Sequence, residues 1–93
     1  LDMAPYFIYV LECSDGTLYT GYTVDLERRL RQHNAGKGAR YTRSRMPVKL
    51  AFNERYSKKG DALRREIQIK RMSRSSKLLL CAGYPPKPRH SLR

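Results

Sequence analysis

The chain has 93 residues, with 20 lysines and arginines against 8 acids and a formal charge of +12 at pH 7. This length suits one domain whose core barely suffices for independent folding, and so large a charge imbalance favours a polyanionic partner. No stretch approaches the roughly 20 apolar residues of a membrane span, no signal-peptide pattern opens the chain, and no helix pairs a wide apolar face with a basic one. A membrane partner therefore ranks behind nucleic acid, and the cytoplasm is the expected compartment.

From Phe7 to His33 the sequence reads FIYVLECSDGTLYTGYTVDLERRLRQH. Two runs of alternating aromatic and aliphatic residues, Phe7 to Cys13 and Thr17 to Thr23, flank Ser14-Asp15-Gly16. This is a β-hairpin, and glycine at Gly16 suits the left-handed end of a three-residue loop. That loop sets Cys13 opposite Thr17, Leu11 opposite Tyr19 and Tyr9 opposite Gly21. Because strand side chains alternate, Tyr9 and Tyr19 then share one face as diagonal neighbours. Gly21 leaves room for the Tyr9 ring or an approaching phosphate.

A basic amphipathic helix follows. At roughly 100° per residue from Leu26, Leu30 projects at about 40°, His33 at about 340° and Arg29 at about 300°, while Arg28 and Arg31 point outward. Arg29 thus lies at the edge of the packed face, where a guanidinium needs an anion from the protein or from a ligand.

Ala35 to Pro47, AGKGARYTRSRMP, reads as a mobile surface loop with cations around one aromatic. Lys37, Arg40, Arg43 and Arg45 suit a phosphate backbone, and Tyr41 can stack on a base. Val48 to Tyr56 alternates as a third strand, with Val48, Leu50 and Phe52 expected on one face. A second helix is expected over Ala62 to Met72, starting near Gly60-Asp61. Ile69, Glu66, Leu63 and Ile67 lie at about 340°, 40°, 100° and 140° on it, so the Glu66 carboxylate falls inside the apolar arc. It must find a cation, hydrogen bonds or a metal there.

A third helix is expected from Ser75 or Ser76 to Ala82, with Leu78, Leu79 and Leu80 closing the core and Gly83 ending it. The fold class is then α+β, a three-stranded antiparallel sheet flanked by helices in the order β-β-α-β-α-α. The domain covers residues 1–93, with a core over about 6–82 and a basic, Pro-rich, flexible tail over 83–93. Cys13 and Cys81 lack zinc-type spacing and read as buried or free thiols.

Phe7-Ile8-Tyr9, Tyr19-Thr20-Gly21, Arg29 and His33, in that order and at that spacing, resemble the GIY-YIG nuclease family. Phe stands for the first Gly of the family name and Thr for the middle Ile. The likeness runs from about Tyr6 to about Leu80 and is greatest to the small stand-alone bacterial members. It implies a metal-dependent endonuclease that hydrolyses phosphodiester bonds in DNA; separately, the chain is expected to be a monomer.

The resemblance assigns proton removal from water to the phenol on the second strand, here Tyr19, with Tyr9 hydrogen-bonded nearby. Arg29 faces the non-bridging oxygens, and His33 relays a proton or holds Tyr19 and phosphate in place. Family members carry a metal-binding glutamate in an A-x-x-x-E setting, here Ala62 to Glu66, so Glu66 is the implied ligand of weakly held Mg²⁺ or Mn²⁺. Arg28, Lys70 and Lys77 complete the expected nucleic-acid contacts. Many members also place an asparagine in the terminal region. This chain has none after Asn53, so Lys70 or Lys77 replaces it or its contribution is absent.

Each residue also has a plain structural reading. The tyrosines can be ordinary strand aromatics, His33 a helix C-terminal cation, Arg29 a partner of Glu66, and Glu66 a partner of Lys70 at i, i+4. Two further functions fit the composition: a nucleic-acid-binding module that does not cut, and a subunit active only with a partner.

Overall fold

The computed structural model of the chain describes residues 5–83; the tail expected over 83–93 lies, from residue 84 on, outside them. Strands β1 (Tyr6–Glu12), β2 (Leu18–Thr23) and β3 (Lys49–Tyr56) form one antiparallel sheet in the order β2-β1-β3. Helix α1 (Leu26–Asn34) follows β2, and a short helix α2 (Arg40–Arg43) interrupts the stretch expected as a loop. Helices α3 (Lys59–Lys70) and α4 (Arg74–Ala82) complete the described chain.

The hairpin has the expected register. Leu11 faces Tyr19 and Tyr9 faces Gly21. Gly16 closes the turn at φ +84°, and its N–H donates to the Cys13 carbonyl at 2.9 Å. Asp15 ties the loop by accepting from the Thr17 N–H at 3.1 Å and the Thr17 hydroxyl at 2.6 Å.

Central β1 is buried on both faces, and this organises the core into two clusters. Ile8 and Val10 pack with Phe52, Ala62 and Ile69, against α3. Tyr9, Leu11 and Cys13 pack with Val48, Leu50, Leu26 and Leu30, against α1.

The expectation that Val48, Leu50 and Phe52 share a face fails. Val10 pairs with Phe52 but Leu11 pairs with Leu50, so Ala51 is an extra residue in β3. Such a bulge inverts the alternation beyond it. Phe52 therefore joins the α3 side while Leu50 and Val48 join the α1 side.

Capping explains two of the helix starts. The Asp25 carboxylate accepts from the Arg28 N–H at 3.1 Å, and the Ser73 hydroxyl accepts from the Ser76 N–H at 3.1 Å. Helix α3 begins at Lys59, a residue before the expected Gly60-Asp61, and has no side-chain cap. It is pinned instead by Arg65, which donates to Glu54 of β3 at 2.8 and 3.2 Å. The buried face of α3 is narrower than the expected arc. Ala62 and Ile69 are buried, but Ile67 at the arc's far end is half exposed. Leu78 and Leu79 are also exposed, and Leu80 alone of the three leucines packs against the core. Gly83 ends α4 at φ −88°, so the helix stops without a left-handed residue. Cys13 and Cys81 are free thiols.

Thr20, buried in edge strand β2, has a hydroxyl with no hydrogen-bond partner among the described residues. Leaving a buried hydroxyl unpaired costs about 1 kcal/mol or more. Thr20→Val keeps the shape and removes the orphan, and is expected to raise unfolding free energy by about 1 kcal/mol in urea titrations. A loss of stability would mean that the hydroxyl has a partner in the folded protein.

Candidate active site

The two hairpin tyrosines lie on the α1 side of the sheet, their ring centroids 6.4 Å apart. Gly21 makes room for the first of them. A Cβ there would sit 2.5 Å from Cζ and Oη of Tyr9, closer than atoms pack.

Tyr9 is buried, and its hydroxyl meets two residues of α1. His33 Nε2 is 2.9 Å away, and Arg29 Nε donates to the hydroxyl at 3.3 Å. Tyr9, expected to be hydrogen-bonded near Tyr19, makes its bonds to these two residues. The Tyr9 oxygen is turned into the protein, while the half-exposed Tyr19 ring packs edge-on to His33 at 5.3 Å.

Arg29 also donates to Gln32 Oε1 at 3.1 Å, from Nη1. Its edge position is the one the helical spacing requires, half-buried between core and solvent. The alternative of an Arg29–Glu66 pair is not what the structure shows. Glu66 pairs with Lys70 at 3.1 Å, and its side chain is only 16% exposed. Lys70 is the more exposed partner, so the pair adds little to stability.

Burial pushes the Tyr9 phenol above its usual range. The hydrogen bond and charge of Arg29 oppose that shift, while Tyr19 and Glu66 add to it. His33 is brought down from 6.5 to about 4, by burial first and by Arg29 second. A buried neutral imidazole rules out the reading of His33 as a helix C-terminal cation.

Helix α2, which periodicity could not reveal in four residues, closes the site from above α1. His33 Nδ1 lies 2.8 Å from the hydroxyl of Thr42, which is fully buried. A Cβ at Gly38 would meet His33 Nδ1 at 2.3 Å, so glycine there lets the chain press onto the ring. Asn34 fastens the segment's far end, donating to the Val48 carbonyl at 3.0 Å and accepting from the Val48 N–H at 2.7 Å. Gly38, Thr42, Gln32 and Asn34 were all missed in the sequence. The one signal was Thr42 beside Tyr41 in an otherwise basic, Gly-rich stretch.

The expected nucleic-acid contacts divide into four sets, apart from Lys70, which pairs with Glu66. Lys37, Arg40 and Arg43 are exposed on the α1–α2 connection and α2. Arg28 is exposed on α1 and lines a groove of about 310 Å³ with Arg29, Gln32, Asp25 and Tyr22. Lys77 lines a second groove of about 220 Å³ with Arg74, Thr17, Leu18 and Tyr41. The grooves flank opposite ends of β2, with Tyr19 between them. Arg45, by contrast, is engaged by the protein's own groups: it pairs with Asp15 at 3.1 Å and donates to the Tyr41 carbonyl at 2.9 Å. Its guanidinium also covers the Tyr41 ring at 3.9 Å, and Tyr19 stacks on that ring at 6.0 Å, so Tyr41 already has internal partners.

The GIY-YIG catalytic domain model matches residues 5–79. The chain belongs to the GIY-YIG family. It is 58% identical to a UPF0213 protein of Streptococcus agalactiae over 74 residues, covering 80% of this chain and 84% of that one. A UPF0213 protein of Syntrophus aciditrophicus is 52% identical over 86 residues, covering 91% and 99%. The solution NMR structure of a UPF0213 protein from Bacillus halodurans superposes with a TM-score of 0.58 at 41% identity, over 88% of this chain and 87% of that one. The solution NMR structure of a protein from E. faecalis gives a TM-score of 0.61 at 35% identity, over 92% of each. This GIY-YIG chain has no helix among its described residues long and apolar enough to cross a membrane. Its domain type is that of nucleases, which as a class use divalent metal ions.

The depressed His33 pKa has a consequence for stability. In the unfolded chain the imidazole takes up a proton below about 6.5, whereas the folded one stays neutral until about 4. The unfolded state thus binds more protons in that window, so stability is complete above it and falls as pH drops through it, by on the order of 2 kcal/mol. Urea titrations between pH 7 and 4 measure this. His33→Gln should flatten the slope, and an equally steep slope in that variant would place its origin elsewhere.

Proposed function

We propose that this GIY-YIG protein is a metal-dependent endonuclease that hydrolyses phosphodiester bonds in DNA. The observation that carries the proposal is the meeting of His33 and Arg29 at the buried hydroxyl of Tyr9, with the Tyr19 ring packed beside them.

A divalent ion fits the donor set in one way only. Among the described residues no three His, Cys, Asp or Glu side chains cluster as a metal cage. Glu66 offers one sheltered carboxylate, and Mg²⁺ sites commonly use one or two carboxylates with water and substrate phosphate for the rest. Glu66 would therefore hold the ion weakly and chiefly with substrate present. When bound, Mg²⁺ or Mn²⁺ relieves charge on the phosphoryl oxygens and helps the departing oxygen.

The other roles follow from position. Arg29 is permanently charged, held by Tyr9 and Gln32, and keeps a terminal nitrogen for the non-bridging oxygens, where charge builds up. Tyr19, half-exposed beside the cluster, is placed to take a proton from water, which buried Tyr9 is not. His33, neutral and buried, supports Tyr9 and packs against Tyr19.

The two basic grooves give the DNA backbone a path along β2. Arg28 and Arg29 lie at one end, Arg74 and Lys77 at the other, and Lys37, Arg40 and Arg43 stand beside it as exposed cations. A second reading is supported by the Glu66–Lys70 pair, because an ammonium 3.1 Å from the carboxylate competes with a metal. In that reading the protein holds nucleic acid without cutting it.

Labelled single-stranded, nicked and branched DNA, incubated with Mg²⁺, Mn²⁺ or EDTA, separates the two. Product is expected with either metal and none with EDTA. Arg29→Ala should slow turnover at least about hundredfold with a smaller effect on binding, and Glu66→Ala should abolish it. Steeply salt-dependent binding without product, unchanged by Glu66→Ala, would establish the second reading instead.

A further inference from the structure

Three buried side chains, Tyr9, His33 and Thr42, form a hydrogen-bonded line that ends on a backbone carbonyl. The Thr42 hydroxyl has a single proton, and it lies 3.0 Å from the Ala39 carbonyl, which can only accept. That proton is therefore committed, and the hydroxyl can only accept from its other neighbour, His33 Nδ1, at 2.8 Å. A neutral imidazole carries one N–H, so a proton on Nδ1 leaves Nε2 bare. Nε2 then accepts the Tyr9 hydroxyl proton at 2.9 Å, and the lone pairs of Tyr9 remain for the Arg29 Nε–H at 3.3 Å.

The opposite tautomer breaks this line at both ends. With the proton on Nε2, His33 and Arg29 would both donate to the Tyr9 oxygen, and the phenol's own proton would lose its acceptor. At the other end Nδ1 and the Ala39 carbonyl would compete for one Thr42 proton. Tyr9, His33 and Thr42 are all buried, so water does not repair either defect cheaply. Gly38, with no Cβ to push the ring away, keeps His33 within reach of Thr42.

We propose that Thr42 is a positioning residue: through its bond to the Ala39 carbonyl it fixes His33 as the Nδ1–H tautomer, which orients Tyr9 and, through it, Arg29. The aiming of Arg29 at a phosphate rests on the nuclease reading above, whereas the tautomer does not. The stretch from Ala39 to Arg43 is then part of the site's inner frame as well as a basic surface.

Long-range proton–nitrogen NMR spectra of the imidazoles read the tautomer directly, and a His90→Gln background leaves His33 as the chain's one histidine. At neutral pH the parent should show the proton on Nδ1. Thr42→Ser, which keeps the hydroxyl, should retain that pattern and near-parental turnover. Thr42→Val should populate the Nε2–H form and slow cleavage by roughly tenfold to hundredfold with little change in KM, the pattern of a misaimed group. A parent carrying the proton on Nε2, or a folded Thr42→Val with the parental tautomer and rate, overturns the proposal. If the parent cuts no DNA, the nuclease reading fails, and the parent and Thr42→Ser spectra still decide the tautomer. They also decide it if Thr42→Val does not fold.

Discussion

The hydroxyl of Tyr9 is the point at which this small domain joins its sheet to its chemistry. It projects from the middle strand, where the backbone is least free to move, and meets His33 and Arg29 of α1 at hydrogen-bond distance. Burying a phenol and an imidazole beside a guanidinium is unfavourable unless each polar atom is paired. Their mutual bonds meet that requirement and, in doing so, fix the rotation of α1 about its axis. The absent Cβ of Gly21 completes the fit by letting the ring lie against the edge strand.

The rest of the molecule holds that cluster from two sides. Below the sheet, Ala62 and Ile69 anchor α3, and the Glu54–Arg65 pair ties that helix to β3. Above it, the connection from α1 to β3 is laced down at its ends. Asn34 grips Val48, Arg45 grips Asp15, and the Ser14 N–H donates to the Arg45 carbonyl at 2.9 Å. A run of glycines and cations thus becomes ordered structure by attaching to the hairpin turn and to β3. The domain's large positive charge is left mainly on residues outside this frame, where it faces solvent and can meet a polyanion.

Much of this was legible in the amino-acid order. The hairpin register, the shared face of Tyr9 and Tyr19, the space at Gly21 and the half-buried edge position of Arg29 follow from local periodicity and one turn glycine, and the structure has all of them. The sheltered position of Glu66 followed from the same kind of counting. What escaped has a common cause. The bulge at Ala51 is a property of pairing between strands, α2 is too short to show a period, and the Asp15–Arg45 pair spans 30 residues. Thr42 escaped because a buried threonine and an exposed one look alike in a basic segment. Ile67 was placed inward by an apolar arc drawn too wide, since α3 touches the sheet along a narrow stripe.

In the proposed nuclease, the oxygen of buried Tyr9 governs turnover by holding Arg29 in place. The most direct measurement is the single-turnover cleavage rate of Tyr9→Phe, which removes that oxygen alone, on the DNA substrate the parent cuts fastest. A folded variant slowed by roughly hundredfold is the predicted result. A folded variant cutting at the parental rate would contradict it, leaving the buried hydrogen bonds a matter of packing only.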